Sequence, residues 1–170
     1  DRKSTRLNSS HTVTAYAASR WKKKNNNTVT ALEHYSDPDV MNVFLRHGIL
    51  TEREILSRQD ILLENYSKTV CIEGNIMADM IRSSVLPPSL EAQIKAADAV
   101  VKTRAVLGDK AAGSEEEYFN ELRGHVVALQ KGVVVLEKAV EKALCTEGAL
   151  EQAKAARDGI LPAMNECRTH

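Results

Sequence analysis

The stretch from Thr51 to Leu86 constrains the fold most, because it carries no interior stop signal and predicts one long helix. Thr51 is a favourable N-cap, and Glu54 completes a capping box that satisfies two backbone N–H groups. Pro87 and Pro88 then break or kink the helix after about 34 residues, on the order of 50 Å. A helix of this length cannot bury its own apolar stripe, so other parts of the chain have to pack against it.

Two apolar patterns with helical spacing indicate which helices pack together. The long helix carries a stripe at Ile55, Leu62, Tyr66, Val70, Ile76 or Met77, and Met80. A second helix, from residue 115 to about residue 145, carries an unbroken heptad seam at Phe119, Leu122, Val126, Leu129, Val133, Leu136, Val140 and Ala143. Ser114 and Glu117 predict a capping box at its start. Gly124 and Gly132 mark either close backbone approaches or tolerated weak positions. We expect this helix to pack against the long one.

Shorter helices complete an all-α chain with no credible strand. Asp37 and Pro38 are a strong start signal, and Gly48 ends that short helix. Residues 89–107 resume a helical pattern with a stripe at Leu90, Ile94, Ala97 and Val101. The last stripe consists of Ala149, Ala153, Ala156 and Ile160, after which Pro162 kinks or ends the helix. The predicted fold is an elongated helical bundle.

Residues 1–27 differ in character from the rest of the chain. They carry seven Lys or Arg and one acid, a net charge of +6, whereas residues 28–170 carry 16 basic and 22 acidic residues. Such a polar segment buries too little surface to offset its ordering entropy, so we predict a disordered tail. Residues 2–11 resemble a translated adapter-type segment, and we interpret the tail as artefactual. The alternative is a nucleic-acid or membrane arm, with Lys22 to Lys24 beside Trp21.

The cysteines and the apolar runs exclude several classes of protein. Cys71, Cys145 and Cys167 lie far apart without a CxxC spacing, so neither a zinc site nor a disulfide framework is indicated. We expect a reduced, cytoplasmic protein in which each cysteine is a small buried hydrophobe. The longest apolar run, residues 133–136, is far shorter than the roughly 20 residues of a membrane span.

The candidate chemical groups are weak, and we assign no catalytic, cofactor-binding or metal-binding residue. Glu73 falls on the predicted stripe, where a carboxylate needs a partner from elsewhere, unless that flank is exposed or Glu73 serves interface specificity. Glu121 and His125 are four apart, but bundle metal sites need Glu-x-x-His from two helices, so a solvated ion pair is favoured. The loop at residues 108–113 has Ser114 where a phosphate-binding loop needs Lys.

A run of specific positions carries a family resemblance. The positions are Phe44, Gly48, Leu50, Thr51, Arg53, Glu54, Ser57, Arg58, Leu63, Glu64, Tyr66, Lys68, Thr69, Val70, Ile72, Glu73, Asp79, Met80, Leu86 and Pro87. Together with ILPAMNECR at residues 160–168, they resemble the C-terminal region of type III glutamine synthetases. The chain departs from the family pattern at Gln59, Gly74 and Pro88. These departures affect the expected local packing and not the family resemblance.

The resemblance implies a part of a larger enzyme that joins ammonia to glutamate with ATP. In that family the ATP, glutamate, ammonia and Mg²⁺ or Mn²⁺ sites belong to a catalytic body upstream, so this chain is expected to bind no cofactor and to be inactive alone. Residues 28–170 are then a helical C-terminal domain, truncated at its C-terminus, of a cytoplasmic homo-oligomer in nitrogen metabolism. The expected partners are the catalytic domain and neighbouring subunits, not nucleic acid or membrane. The alternative is a freestanding helical interaction module that uses the seam at residues 119–143.

Overall fold

The computed structural model describes residues 27–169, which are predominantly helical. The helices are α1 (Thr28–Glu33), α2 (Pro38–Arg46), α3 (Glu52–Met80), α4 (Leu86–Leu107), α5 (Gly113–Leu144), α6 (Ala149–Ala155) and α7 (Leu161–Arg168). No strand occurs among these residues, so the all-α prediction is confirmed. The prediction of disorder concerns residues outside this range, except for Asn27. Its side chain accepts a hydrogen bond from the Thr30 N–H at 2.9 Å and so caps α1.

The two predicted capping boxes have different outcomes. The box at Thr51 is confirmed, because Glu54 Oε2 accepts from the Thr51 N–H at 2.8 Å and Thr51 Oγ1 accepts from the Glu54 N–H at 3.4 Å. The box at Ser114 is wrong, since α5 already begins at Gly113 and has no side-chain cap. The Ser114 hydroxyl instead donates to Glu115 Oε2.

The proline pair does not end the long helix. α3, a π-helical segment at Ile81–Val85 and α4 form one continuous helix from residue 52 to residue 107. The Leu86 N–H bonds to the Ile81 carbonyl, five residues back, just ahead of Pro87 and Pro88. This wider turn accommodates rings that clash with the carbonyl four residues back in a regular α-helix. The expected end at Leu86 is therefore wrong, and a π segment takes its place.

The same arrangement recurs near the end of the chain. A second π segment, Ala156–Ile160, joins α6 to α7, and the Leu161 N–H bonds to the Ala156 carbonyl ahead of Pro162. Both sites have Arg in the second π position, a branched side chain in the fifth, and Leu-Pro after it, as IRSSVLP and ARDGILP show. Pro162 therefore lies within a continuous helical rod.

Three helical rods share the main core: α3 with the first π segment, α5, and α6 continued through the second π segment into α7. Their buried side chains are Val70, Cys71, Ala78, Ile81, Leu129, Val133, Leu136, Val140, Ala143, Ala156, Ile160, Ala163, Met164 and Cys167. The heptad seam is buried from Val126 to Ala143, whereas Phe119 and Leu122 are only partly buried. Its predicted packing against the long helix is confirmed, and α7 covers it as well.

A smaller cluster fixes α1 against the bundle. Val29 of α1 is buried with Leu63 of α3 and Ala153 of α6. The buried Gln59 donates from Nε2 to the Leu32 carbonyl at 2.7 Å, so this carbonyl at the end of α1 accepts from both Gln59 and the His34 N–H. α2, in contrast, has no fully buried side chain.

α4 and the first part of α5 form an antiparallel hairpin, here called the hairpin arm and defined as residues 86–122. Only Ala96 and Ala112 are buried in it. Surface contacts join its helices: Arg104 Nη2 lies 2.7 Å from Glu116 Oε1, and the Thr103 hydroxyl donates to Glu115 at 3.4 Å. The described chain therefore has a three-rod bundle and a two-helix extension, which agrees with the predicted elongated shape.

Candidate interaction surface

α3 is apolar on two opposite faces, and only one of them is covered. The buried face consists of Ile55, Gln59, Leu63, Ser67, Val70, Cys71, Gly74 and Ala78. On the other face the large side chains are exposed, with relative accessibilities of 44% for Leu62, 58% for Ile72, 53% for Ile76 and 57% for Met80. The predicted stripe mixed the two faces. It was wrong at Leu62 and Met80, and of its alternatives Ile76 is exposed whereas Met77 is partly buried against the core.

A groove lies where this exposed face meets α7. Its apolar lining comes from Ile76, Met77 and Met80 of α3, Ile81 of the first π segment, and Met164 of α7. We call these five residues the methionine groove, which is open to solvent and has a volume of about 490 Å³. Methionine side chains are flexible and polarisable, so the lining can adapt to the shape of an occupant.

Two opposite charges flank the methionine groove. Glu73 lies on the α3 side and Arg168 on the α7 side. Glu73 is exposed, so its predicted place on the buried seam is wrong, and the exposed-flank interpretation holds. Within residues 27–169 neither side chain has a carboxylate or cationic partner within 4.0 Å. Arg168 donates only to Asn165 Oδ1, at 3.0 Å.

Burial and nearby charges act together on Tyr66, which lies between the core clusters. Burial is the main cause that raises the pKa of its hydroxyl, and Asp158 and Glu73 act in the same direction. The Arg157 guanidinium opposes this effect and lowers the pKa.

A bidentate ion pair ties the first π segment to α5. Arg82 Nε lies 2.6 Å from Glu137 Oε1, and Arg82 Nη2 lies 2.7 Å from Glu137 Oε2. Hydrogen bonding to Arg82 lowers the pKa of the Glu137 carboxyl, and the same bond raises the pKa of Arg82. Both side chains are about half exposed, so solvent screens the pair. The pair joins the first π segment to α5, and neither charge is buried as a catalytic group often is.

The other predicted groups lie apart from this surface or inside the core. Cys71 and Cys167 are buried, as expected, and burial raises the pKa of both thiols. Cys145 is exposed at the end of α5, so its expected burial is wrong. Glu121 and His125 are both exposed on α5.

Neither a metal-binding cluster nor a membrane-spanning helix occurs among the described residues. Within residues 27–169, no group of three or more His, Cys, Asp or Glu side chains is arranged to hold a metal ion. In the same part of the chain, every helix is too short or too polar for a membrane span.

Besides Leu63 and Ala78, sequence reasoning missed three positions on the buried face of α3 that carry no apolar side chain: Gln59, Ser67 and Gly74. Each is polar or lacks a side chain, so it does not register as apolar periodicity. The Ser67 hydroxyl is satisfied by the Glu64 carbonyl at 3.0 Å, which allows full burial. These three positions continue the steps of four and three residues that run from Ile55 to Ala78, and this spacing could have identified them as buried.

Comparison with known proteins gives a consistent picture. The profile of a family described as glutamine synthetase C-terminal domain matches residues 8–104, more than half of the chain. The glutamine synthetase of Butyrivibrio fibrisolvens is 29% identical over 139 residues, which cover 82% of this chain and 20% of that protein. The type-3 glutamine synthetase of Dictyostelium discoideum is 27% identical over 150 residues, 83% of this chain and 20% of that protein.

Each of these matches covers most of this chain but only a small part of the relative. A third relative, the glutamine synthetase of Bacteroides fragilis strain YCH46, is 23% identical over 144 residues and again matches over 20% of its length. The chain thus spans about a fifth of the length of these relatives. The family match begins at residue 8, inside the predicted tail, and the artefactual origin of that tail stays a prediction. No solved structure matches the chain.

Proposed function

We propose, because the chain belongs to the glutamine synthetase C-terminal domain family, that it is a non-catalytic helical part of a type III glutamine synthetase. In this proposal it supports the catalytic domain and the contacts between neighbouring subunits of a cytoplasmic homo-oligomer. Ligation of ammonia to glutamate with ATP and Mg²⁺ or Mn²⁺ takes place in the remaining four fifths of such an enzyme.

The uncovered apolar face of α3 carries this proposal. Leu62, Ile72, Ile76 and Met80 are each about half exposed, and complete burial of such a side chain is worth about 1.5–3 kcal/mol. A helix that is apolar on both faces is typical of a position between two layers. The bundle supplies one layer through α5 and α6, and the body of the enzyme supplies the other.

The alternative of a freestanding interaction module loses its physical basis in this fold. That hypothesis needs the seam at residues 119–143 to be free for a partner helix. The seam is instead filled by the chain's own α3 and α7, from Val126 to Ala143. A partner helix would have to displace this core.

Two measurements test the proposed role. The purified chain, supplied with ATP, Mg²⁺, glutamate and ammonia, is expected to form no glutamine, with the Butyrivibrio fibrisolvens enzyme as the active control. Removal of the matched fifth from that enzyme is expected to reduce its assembled fraction in sedimentation velocity. Glutamine formed by the chain alone would refute the non-catalytic assignment, and unchanged assembly of the shortened enzyme would refute the supporting role.

A further inference from the structure

We infer that the methionine groove is where the body of the glutamine synthetase inserts an amphipathic helix. This inference rests on the proposed function, because the occupant is drawn from the four fifths of the relatives' length that lies outside this chain. It goes further by naming the contact surface, the kind of segment that fills it and the charges that orient that segment.

The shape and chemistry of the groove fit a helix better than a flat surface. Two helices, α3 and α7, form its walls, and the five lining side chains are all apolar. An amphipathic helix laid between two such walls buries side chains spaced three and four residues apart. Ile72 extends the apolar surface one turn further along α3, which lengthens the contact beyond the groove itself.

The charges at the groove's edges predict the flanks of the inserted helix. Glu73 and Arg168 stand on opposite walls, and neither has an ion-pair partner within the described part of the chain. A charge that becomes buried in an interface needs a hydrogen-bonded partner. The occupant therefore carries a basic side chain toward Glu73 and an acidic one toward Arg168, which also fixes its direction.

Tethering favours the enzyme body over a second copy of this domain. The complete chain has a formal net charge of zero, so net charge neither drives nor opposes the pairing of two copies. A segment of the same polypeptide acts at a high effective concentration, on the order of millimolar for short linkers. A groove of modest size is then sufficient for stable docking.

The test uses the complete 170-residue chain and the Butyrivibrio fibrisolvens enzyme shortened by its matched segment. The dissociation constant is measured by sedimentation velocity for the wild-type chain, for Met80→Asp and for Ile94→Asp. Ile94 is the control, because it is 65% exposed on the hairpin arm and outside the groove. Binding is expected to weaken at least tenfold for Met80→Asp and to stay unchanged for Ile94→Asp. Glu73→Lys is expected to weaken it by a smaller factor.

The possible outcomes separate the inference from the proposed function. Binding that is equally tight for the wild-type chain and Met80→Asp overturns the groove and leaves the supporting role intact. A wild-type chain that does not bind overturns both, with the relative's own excised segment as the positive control. Self-association that Met80→Asp abolishes would make a second copy the occupant and overturn the inference. Circular dichroism of Met80→Asp, Ile94→Asp and Glu73→Lys verifies that all three variants fold.

Discussion

The bundle and the hairpin arm are built on the same continuous helix, yet they are held together in different ways. In the bundle, α3 packs against two other rods through fully buried branched side chains such as Leu63 and Val70. In the arm, α4 meets α5 through alanines, and only Ala96 and Ala112 are buried. An unbroken helix therefore does not imply uniform stability along its length, because most helical stability comes from tertiary packing.

The side chains that face outward explain the difference. Leu90, Ile94 and Val101 belong to the stripe predicted for residues 89–107, and all three are exposed, Ile94 and Val101 at 65%. Alanines on the inner side bring the two helices together but bury little area. Exposed pairs such as Arg104 with Glu116 add little, because solvent screens them.

The largest expected effect comes from truncating a side chain at the centre of the bundle. Leu136 is fully buried between the three rods, so Leu136→Ala is expected to lower the free energy of unfolding by about 2–5 kcal/mol. Val101→Ala in the arm is the matched control and is expected to change it by less than about 0.5 kcal/mol. Urea denaturation measures both. Similar losses for the two variants would show that the arm and the bundle are equally well packed.

A glycine pair tests how closely the rods approach. A Cβ added at Gly74 would lie 2.9 Å from Ile160 Cγ2 and 2.9 Å from Val140 Cγ2. Both methyls belong to stiff, buried β-branched side chains, so Gly74→Ala is expected to lower the free energy of unfolding by about 1–3 kcal/mol.

The matched control carries the same substitution at a place where nothing is close. A Cβ at Gly124 meets no atom within 4 Å, so Gly124→Ala is expected to raise the free energy of unfolding by up to about 1 kcal/mol through helix propensity. Opposite signs for the two variants, measured by thermal or urea unfolding, would confirm that the rods approach closely at Gly74 and that Gly124 has no packed neighbour. Stabilisation by Gly74→Ala would show that the rods are further apart than the structure indicates.

The smallest effect concerns the ion pair between the first π segment and α5. Hydrogen bonding to Arg82 lowers the pKa of Glu137 in the folded state, so the pair stabilises the fold above the unfolded pKa. That contribution disappears as the pH falls through the folded pKa. The wild-type chain is therefore expected to exceed Glu137→Gln in stability at neutral pH and to match it in acid. Glu141→Gln, one turn later and exposed, is the control. A difference that persists in strong acid would contradict the role of this charge.

Local signals in the sequence located most helix boundaries. The Thr51 capping box, the start at Asp37-Pro38 and the positive φ of Gly48 all agree with the structure. Each involves groups within a few residues of one another, so sequence neighbours alone determine it. The same reasoning failed at Pro87 and Pro88, because the wider turn of a π segment can accommodate a proline within a continuous helix.

The candidate surface was less predictable from the sequence than the fold. The spacing of Glu73 placed it on the predicted apolar stripe, but part of that stripe belongs to the exposed face of α3, where Glu73 lies. The buried side-chain amide of Gln59 is satisfied by its hydrogen bond to the carbonyl of Leu32, which lies 27 positions away in the sequence. Long-range partners of this kind leave no periodic trace in the sequence.

The sequence alone predicts that this protein is helical, that its longest helix begins after Thr51, and that the seam at residues 119–143 forms a core, which the structure confirms from Val126 to Ala143. These properties follow from propensity, capping and periodicity, which act over a few residues. Only the tertiary structure decided which of the two apolar faces of α3 is buried and which one remains open beside Met80. The physical reason is that burial depends on the area that other helices can supply, and α5 and α6 cover mainly one side of α3.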